Sequence, residues 1–463
     1  MIRIDTSLEP QSLAPQLDRL WSTTGPKVKS LCHRDSPDAG TPVHTVDGRY
    51  TSQSWTEWTQ GFLYGEAILQ FDATGDEEAL ELGRRLVRDR MAPHLTHEGV
   101  HDHGFNNVST YGNLRRLMLE GRIPHDPWEL AFYEDALRVS GAVQAMRWTV
   151  RADGGGFIHS FNGPHSLFCD TMRSVRSLMV AHHLGHRLLG ENDRAISLLE
   201  RGIQHAISTA EFSVYYGSGR DIYDIRGRVA HESLFNTHDG NYRAPSTQQG
   251  YSPFTTWTRG LSWVMSGFPE QLEFLDVVAD EELEPLGGRA QLRSMMLEAA
   301  KASCDFFIEH SPTDGIPYWD TGAPGLAKMG DYLDRPAEIR NPYEPVDSSA
   351  AAIGAQGLLR LGRYLENAGD SSGERYTKAG LTVLATLLSD DYLSLDPEHE
   401  GLLLHGVYHR PNGWDRTPDG GGVPAGEAVM WGDYHLMEVA LLVQRMADGL
   451  NYPTFFGPIG GQP

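Results

Sequence analysis

Two carboxylates stand in settings that suit acid–base chemistry. Asp170 lies in Gly163–Ser174 (GPHSLFCDTMRS), where a turn leads into a predicted helix, and it falls on the face opposite an apolar stripe. Asp102 lies in Val100–Phe105 (VHDHGF). If the two side chains meet, each carboxylate opposes ionisation of the other, which raises one pKa and yields a general acid. A helix cap, or an ion pair with Arg173, is the alternative role for Asp170.

The segment Gln248–Trp263 has the residue types that bind sugars. Arg259 and Trp263 are four positions apart on one predicted helix face, and Gln249 precedes them. A guanidinium fits a carboxylate through two parallel hydrogen bonds, and an indole stacks on the apolar C–H face of a sugar ring. Trp58, at another predicted helix start, has the same capacity, although core packing explains tryptophans equally well. With the two carboxylates, this segment favours a carbohydrate-active enzyme.

Histidine clusters also invite a metal interpretation, which the spacing does not support. His101–His103 and His182–His186 lack the further ligands, or the HExxH glutamate, that zinc sites use. The three cysteines are far apart and form no CxxC pair: Cys32, Cys169 and Cys304. We therefore predict no metal site, no cofactor and no disulfide scaffold.

The composition of the chain restricts the kinds of molecule that it is expected to bind. The chain has 463 residues, a formal net charge of −23 and 40% hydrophobic residues, as expected for a folded protein. Such an acidic chain is a poor partner for nucleic acid or an anionic membrane. The first ten residues contain no apolar signal-peptide core, and no apolar stretch is long enough to span a bilayer. These features predict cytoplasmic localisation.

Helical periodicity dominates the chain and predicts how the carboxylates are carried. Helices are predicted near 54–73, 76–92, 127–149, 168–189, 192–210, 289–310, 347–367, 372–389 and 427–447. Gly75, Gly190 and Gly369, each followed closely by an acid, are predicted to end one helix before the acid caps the next. Their separations of 115 and 179 residues approximate two and three multiples of one spacing. This pattern predicts a closed ring of about six helical hairpins.

We expect a single domain over residues 1–463. The composition changes too gradually along the chain to mark a domain boundary. Three Gly- and Pro-rich segments, 152–165, 311–346 and 390–426, are longer than plain connections between helices. Segments of this kind usually carry function, so we expect them at one rim of the ring.

Eight motifs, in order from about residue 50 to 447, resemble the unsaturated glucuronyl hydrolases of glycoside hydrolase family 88. They are Trp58–Phe62, His101–Phe105, Asp170, Gln249–Tyr251, Arg259–Trp263, Pro317–Asp320, Asp347–Ala352 and Trp431–Tyr434. The resemblance implies an all-α, six-hairpin (α/α) barrel with long rim loops and the active site at one rim. It also implies action on oligosaccharides whose non-reducing end is a 4,5-unsaturated uronic acid left by a polysaccharide lyase.

The resemblance also implies roles for individual residues. Asp170 matches the family's general acid/base and Asp102 its second essential carboxylate, which would hold the pKa of Asp170 high or bind the sugar. The matches to substrate-binding residues are Trp58, His101, His231, Gln249, Arg259 and Trp263. Leu261 and His103 depart from the family's usual residues, and the region 371–426 looks longer than the family's. These departures leave the substrate open.

The implied chemistry needs one carboxylic acid. The C4=C5 bond of the substrate is an enol ether, so protonation at C4 develops positive charge at C5, where water adds. The resulting hemiketal opens and the glycosidic bond is lost. Three alternatives remain: an unsaturated rhamnogalacturonyl hydrolase, a non-catalytic sugar-binding barrel, or an inverting glycosidase. In the last, the two carboxylates would lie roughly 6.5–9.5 Å apart with a water between them.

Overall fold

Two concentric layers of helices make up the computed structural model, which describes residues 1–36, 38–54, 56–451 and 453–457. The α-helices in chain order are α1 Ala14–Arg34, α2 Gln60–Thr74, α3 Glu77–Arg90, α4 Ala92–Leu95, α5 His103–Asn107, α6 Asn113–Leu119, α7 Pro127–Met146, α8 Thr171–Ser174, α9 Arg176–His183, α10 Leu198–Phe212, α11 Thr258–Leu275, α12 Asp280–Leu283, α13 Arg289–His310, α14 Ser348–Asn367, α15 Gly373–Leu387 and α16 Met430–Ala447. A π-helical turn, Val108–Gly112, joins α5 to α6. Short 3₁₀ helices span Pro10–Leu13, Glu191–Asp193, Glu284–Leu286, Pro324–Lys328, Tyr332–Asp334 and Arg410–Asn412.

The inner layer is a closed ring. Going round it, α2 contacts α5, α5 contacts α8, α8 contacts α11, α11 contacts α14, α14 contacts α16, and α16 returns to α2. These helices are buried nearly all round, and every residue of α11 is buried. The outer helices α1, α3, α7, α10, α13 and α15 pack against the ring. The structure therefore confirms the predicted all-α ring of helical hairpins.

The observed helix ends show which of the helix boundaries predicted from glycine and acidic residues are correct. Gly75 and Gly369 adopt the left-handed conformation, with φ of 74° and 77°, and Asp76 accepts two backbone N–H groups at the start of α3. Gly190 has a φ of −89° and follows a short strand, so the predicted helix end there is wrong. Helix α10 begins later, at Leu198, because the Ser197 hydroxyl accepts the N–H of Glu200 and caps it.

The predicted helix 168–189 is also wrong in part, and the difference matters for the site. Phe168 ends a strand, α8 begins only at Thr171, and the helix is interrupted at Val175 before it resumes as α9. Asp170 is thus held between a strand and a helix start. The predicted helix 54–73 begins at Gln60, and Trp55 lies outside the described residues.

Four small antiparallel sheets are formed by the described residues. The strands are β1 Thr41–Val46, β2 Arg49–Gln53, β3 Trp148–Val150, β4 Gly156–Ile158, β5 Ser166–Phe168, β6 Leu188–Leu189, β7 Ala195–Ile196, β8 Glu232–Phe235 and β9 Tyr242–Ser246. They pair as β1-β2, β3-β4, β5-β8-β9 and β6-β7. The three-stranded sheet positions the site: β5 leads into Asp170, and β8 follows directly on His231.

Candidate functional site

A cavity of about 520 Å³ opens between the rim loops at one end of the ring. Seven of the eight site residues predicted from the sequence line it: Trp58, His101, Asp102, Asp170, Gln249, Arg259 and Trp263. The eighth, His231, is buried behind this wall, where its ring contacts Phe168 and Trp257 at centroid distances of 4.4 and 4.7 Å. A volume of this size suits a small ligand.

Asp170 is buried, and its carboxylate is aimed at a histidine. Its Oδ1 lies 3.3 Å from Nε2 of His101. Burial alone raises the pKa of Asp170, but the hydrogen bond from His101 and the charge of that ring outweigh burial and lower it. The Arg173 guanidinium, which the sequence offered as an ion-pair partner, binds Glu270 and Glu438 instead. Asp170 is therefore placed for chemistry in the cavity.

His101 faces both carboxylates with the same ring nitrogen. Its Nε2 is 3.9 Å from Oδ1 of Asp102, in addition to its contact with Asp170. The backbone N–H of Phe161 donates to Nδ1 at 3.3 Å, so the ring proton of a neutral His101 lies on Nε2, facing the carboxylates. Burial opposes charge on the ring, yet the two carboxylates raise the pKa of His101.

Asp102, rather than Asp170, is the carboxyl group with the raised pKa. Burial is the largest cause, and the negative charge of Asp170 adds to it, against the opposing charge of His101. The sequence led us to expect the reverse, that Asp102 would hold the pKa of Asp170 high. The reason for the difference is the hydrogen bond that His101 gives to Asp170. In the free site, Asp170 is the carboxyl group that ionises more readily.

His231 is fixed in one tautomer beside Asp170. Its Nδ1 accepts the backbone N–H of Gln248 at 3.0 Å, so the proton of the neutral ring lies on Nε2. Within the part of the chain that the structure describes, this buried Nε2 has no hydrogen-bond partner. Burial lowers the pKa of His231 to about 4, against the opposing charge of Asp170. A neutral N–H donor is thus held next to Asp170 by the pairing of β5 with β8, in which the Cys169 N–H donates to the His231 carbonyl.

Arg259 is engaged by the protein itself. Its guanidinium pairs with Asp347 at 3.1 Å and donates to Gln249 Oε1 at 3.0 Å and to the carbonyl oxygen of Tyr408 at 2.8 Å. A further hydrogen bond goes to the carbonyl of Val407. The same side chain lies against the Trp257 and Trp431 rings, with centroid distances of 4.7 and 4.9 Å. Arg259 therefore ties the start of α14 to two rim loops.

Aromatic rings form much of the remaining wall. Trp58 stacks on Trp431 at 5.0 Å, and Trp263 contacts Phe105 at 4.7 Å. Sequence reasoning assigned no role to several other lining residues: Glu57, Phe161, Tyr408, His409, Trp414 and Trp431. Trp431 begins the motif Trp431–Tyr434 that the sequence analysis noted, although no role was inferred for it, and it is the second residue of α16. Residues 408, 409 and 414 lie in the Gly- and Pro-rich segment 390–426, whose length predicted a functional loop.

The other chemical groups singled out in the sequence lie elsewhere. His182 pairs with Glu282 at 3.1 Å beside a separate cavity. Among the described residues, no group of three or more His, Cys, Asp or Glu side chains is arranged to hold a metal ion. Cys32, Cys169 and Cys304 are buried free thiols. In the same described ranges, no helix is both long and apolar enough to cross a membrane.

Known proteins resemble this chain along most of its length. The unsaturated glucuronyl hydrolase of Bacillus sp. (strain GL1) is 29% identical over 427 residues, covering 88% of this chain and 92% of that protein. An unsaturated chondroitin disaccharide hydrolase of Streptococcus pyogenes serotype M1 is 26% identical over 418 residues, covering 87% of this chain and 85% of that protein. No protein-family model matches.

A solved structure shows the same fold. The crystal structure of the unsaturated glucuronyl hydrolase from Bacillus sp. GL1 superposes with a TM-score of 0.68 and 24% identity, covering 93% of this chain and 97% of that one. The six-hairpin fold and the family resemblance seen in the motifs are both confirmed.

Proposed function

We propose that this homologue of the unsaturated glucuronyl hydrolases is a glycoside hydrolase that acts on oligosaccharides ending in a 4,5-unsaturated uronic acid. One observation carries the proposal: Asp102 and Asp170 both lie near Nε2 of His101 in an aromatic-lined cavity at the barrel rim. The cavity has the acid–base groups and the stacking surfaces that the reaction needs. The relatives act on the same class of unsaturated sugar, as their names state.

Asp170 supplies and takes back the proton in this proposal. In the free site the pKa of Asp170 is lowered, so Asp170 must gain its proton when the substrate binds. The uronate carboxylate enters a cavity in which the guanidinium of Arg259 is already bound to protein atoms. The negative charge of the substrate therefore opposes ionisation of Asp170 and raises its pKa. The protonated Asp170 gives its proton to C4, and a water adds to C5. The Asp170 carboxylate then accepts a proton from that water, and the hemiketal opens with loss of the glycosidic bond.

The two histidines orient this chemistry. His101 holds Asp170 through Nε2, and its ring is fixed by the Phe161 N–H. His231, buried behind the cavity wall, keeps a neutral ring whose Nε2–H suits the negative charge that develops on Asp170 as it gives up its proton. Trp58 and Trp263 provide apolar faces for the unsaturated ring. Asp102 contributes negative charge that opposes ionisation of Asp170.

Arg259 acts as a positioning residue in this scheme, and its substitution tests the assignment. We expect Arg259→Lys and Arg259→Ala each to raise KM about ten- to a hundredfold. Lysine keeps the charge but cannot span Asp347, Gln249 and the carbonyl of Tyr408. The range corresponds to about 1.5–3 kcal/mol for hydrogen bonds involving charged groups. Steady-state kinetics and thermal unfolding measure the effect.

Arg228→Lys is the matched control for this substitution. Arg228 is also buried, pairs with Asp221 at 2.8 Å and lies over the Tyr215 ring, away from the cavity. It should change stability without changing KM. A wild-type KM in Arg259→Lys, together with a raised KM in Arg259→Ala, would contradict this role. It would show that the charge of Arg259 acts directly on the substrate carboxylate, as the sequence first suggested.

The position of incoming oxygen tests the proposed function. Reaction in heavy-oxygen water should label C5 of the opened keto acid before ketone exchange, and reaction in deuterium oxide should place deuterium at C4. Both follow from protonation at C4 and water addition at C5. Rapid quenching and mass spectrometry measure the label, with the saturated uronide as a control that should remain uncleaved.

The opposite labelling pattern identifies the rival chemistry. An inverting glycosidase with Asp102 and Asp170 as its pair would label C1, leave C4 untouched and cleave the saturated sugar. Label at C1 alone would overturn the hydration mechanism and leave the barrel fold intact. A single domain over 1–463 and cytoplasmic localisation stay predictions from the sequence.

A further inference from the structure

An aromatic wall runs from the buried part of the cavity to solvent. Trp431 is fully buried and stacks on Trp58. Tyr408 contacts Trp431 at 5.5 Å, and Trp414 contacts Tyr408 at 5.1 Å. Trp414 ends the series with half of its surface exposed, although it lines the same cavity. An exposed indole that lines the cavity is an available stacking surface.

The loop that carries Trp414 is held in place. The Asp415 carboxylate accepts the backbone N–H groups of Tyr408 and His409, the latter at 3.1 Å. His409 Nδ1 in turn accepts the N–H of Asn412, and the His409 ring contacts the Trp414 ring at 4.8 Å. Arg259 binds the start of this loop through the carbonyl of Tyr408. Because the backbone is tied at both ends of the turn, Trp414 is presented in a defined position.

Charge contributes little to recognition at this mouth. Arg259 is the one Lys or Arg among the described residues that line the cavity, and its guanidinium is bound to protein atoms. Burial and the nearby charge of Arg259 lower the pKa of His409 to about 4, so its ring is neutral near neutral pH. Apart from the carboxyl group of Glu57, the mouth therefore offers ring faces and neutral hydrogen-bonding groups.

We infer that Trp414 is the platform on which the sugar released by the reaction stacks, so that it selects substrates by the residue attached to the unsaturated uronate. The inference rests on the proposed function, because it places the uronate at the closed end beside Asp170. The attached sugar then extends toward solvent, where Trp414 offers its face. A sugar with an apolar face of C–H groups matches this surface.

Two substrates that share the unsaturated uronate test the inference. One carries a neutral sugar at C1, and the other carries only a methyl group there. We expect Trp414→Ala to raise KM about two- to tenfold for the disaccharide, the range for an aromatic contact, with kcat nearly unchanged. The methyl glycoside should show wild-type KM, and Trp414→Phe should retain part of the preference for the disaccharide.

Trp128→Ala is the matched control, because Trp128 is also exposed and contacts another ring, that of Phe132, on the outer helix α7. It should leave both substrates unaffected. Equal losses on both substrates would show that Trp414 only shapes the loop, and no loss on either would place it outside the substrate path; both outcomes overturn the inference. Failure of the wild-type chain to turn over either substrate would instead overturn the proposed function itself.

Discussion

Asp170→Asn is expected to lower kcat by about 10²–10⁴-fold, the range for loss of a general acid–base group. An amide neither gives a proton to C4 nor takes one from water. It has nearly the shape of the carboxylate, and its oxygen can still accept the hydrogen bond that His101 gives to Asp170 at 3.3 Å. Substrate binding should therefore persist, with a dissociation constant near the wild-type KM. Single-turnover kinetics and calorimetry of the inactive complex measure the two quantities.

The control for this variant is Asp126→Asn. Asp126 also precedes a helix, where it caps α7 on the outer layer by accepting two N–H groups. Its replacement should leave kcat unchanged. An Asp170→Asn protein that folds normally and retains a tenth or more of wild-type turnover would show that Asp170 is not the acid–base group.

Helices were predictable where apolar residues recur with helical spacing along one face. Helix α13 has the predicted limits, Arg289–His310, and α16 differs by a few residues at its start. Helix α1 was missed, because Thr23–Pro26 reads as a break in the chain while the structure keeps Pro26 inside a helix. Gly25 lies there close to Gln70 of α2, so the reason for the glycine is a tertiary contact. Local sequence does not contain that information.

The site was predictable as a set of residue types, but its partnerships were not. Asp102, His101 and Asp170 come together because the inner helices α5 and α8 are neighbours in the ring. Arg259 was matched to a substrate contact through the family motif and because a guanidinium fits a carboxylate. Its actual partners at Asp347 and Tyr408 come from rim segments about 90 and 150 residues away, a separation at which pairing depends on the closed barrel.

A tertiary contact likewise determines which of the two carboxyl groups, Asp102 or Asp170, has the raised pKa. Two neighbouring carboxylates guarantee that one is harder to ionise, and the sequence therefore predicted a split. Which carboxylate is raised depends on where His101 points its Nε2–H, and the Phe161 N–H on the opposite nitrogen fixes that direction. Asp102, farther from Nε2 at 3.9 Å, receives less stabilisation of its charge and keeps the raised pKa.

Asp102→Asn follows from this arrangement and is expected to lower kcat by about 10²-fold. The mechanism requires the bound substrate carboxylate to reverse the order of the free site, so that Asp170 is protonated while Asp102 is ionised. The charges of Asp102 and of the substrate then both oppose ionisation of Asp170 and raise its pKa. The amide removes one of these charges. Because the acid works only when protonated, activity disappears as pH rises through its pKa. A lower pKa in the variant therefore moves that loss of activity to lower pH, which pH profiles of kcat measure.

Glu57→Gln separates this effect from a general change of charge in the cavity. Glu57 lines the same cavity, and burial raises the pKa of Glu57 too, but it lies outside the His101–Asp170 contact. Its variant should keep kcat within about tenfold of wild type, below the range for loss of an acid–base group, and keep the high-pH limb in place. Wild-type kcat in Asp102→Asn, or a limb displaced to higher pH, would contradict the assignment.

Thermal unfolding distinguishes the catalytic loss in Asp102→Asn from misfolding. Burial raises the pKa of Asp102 above its unfolded value, so the carboxyl contributes stability that is present at low pH and is lost as pH rises. At a pH above the raised pKa of Asp102, the ionised group therefore disfavours the folded state, and there a neutral amide should leave the melting temperature unchanged or raise it. A variant that is as stable as wild type and yet turns over about a hundredfold more slowly would establish that Asp102 is retained for the reaction at a cost to stability.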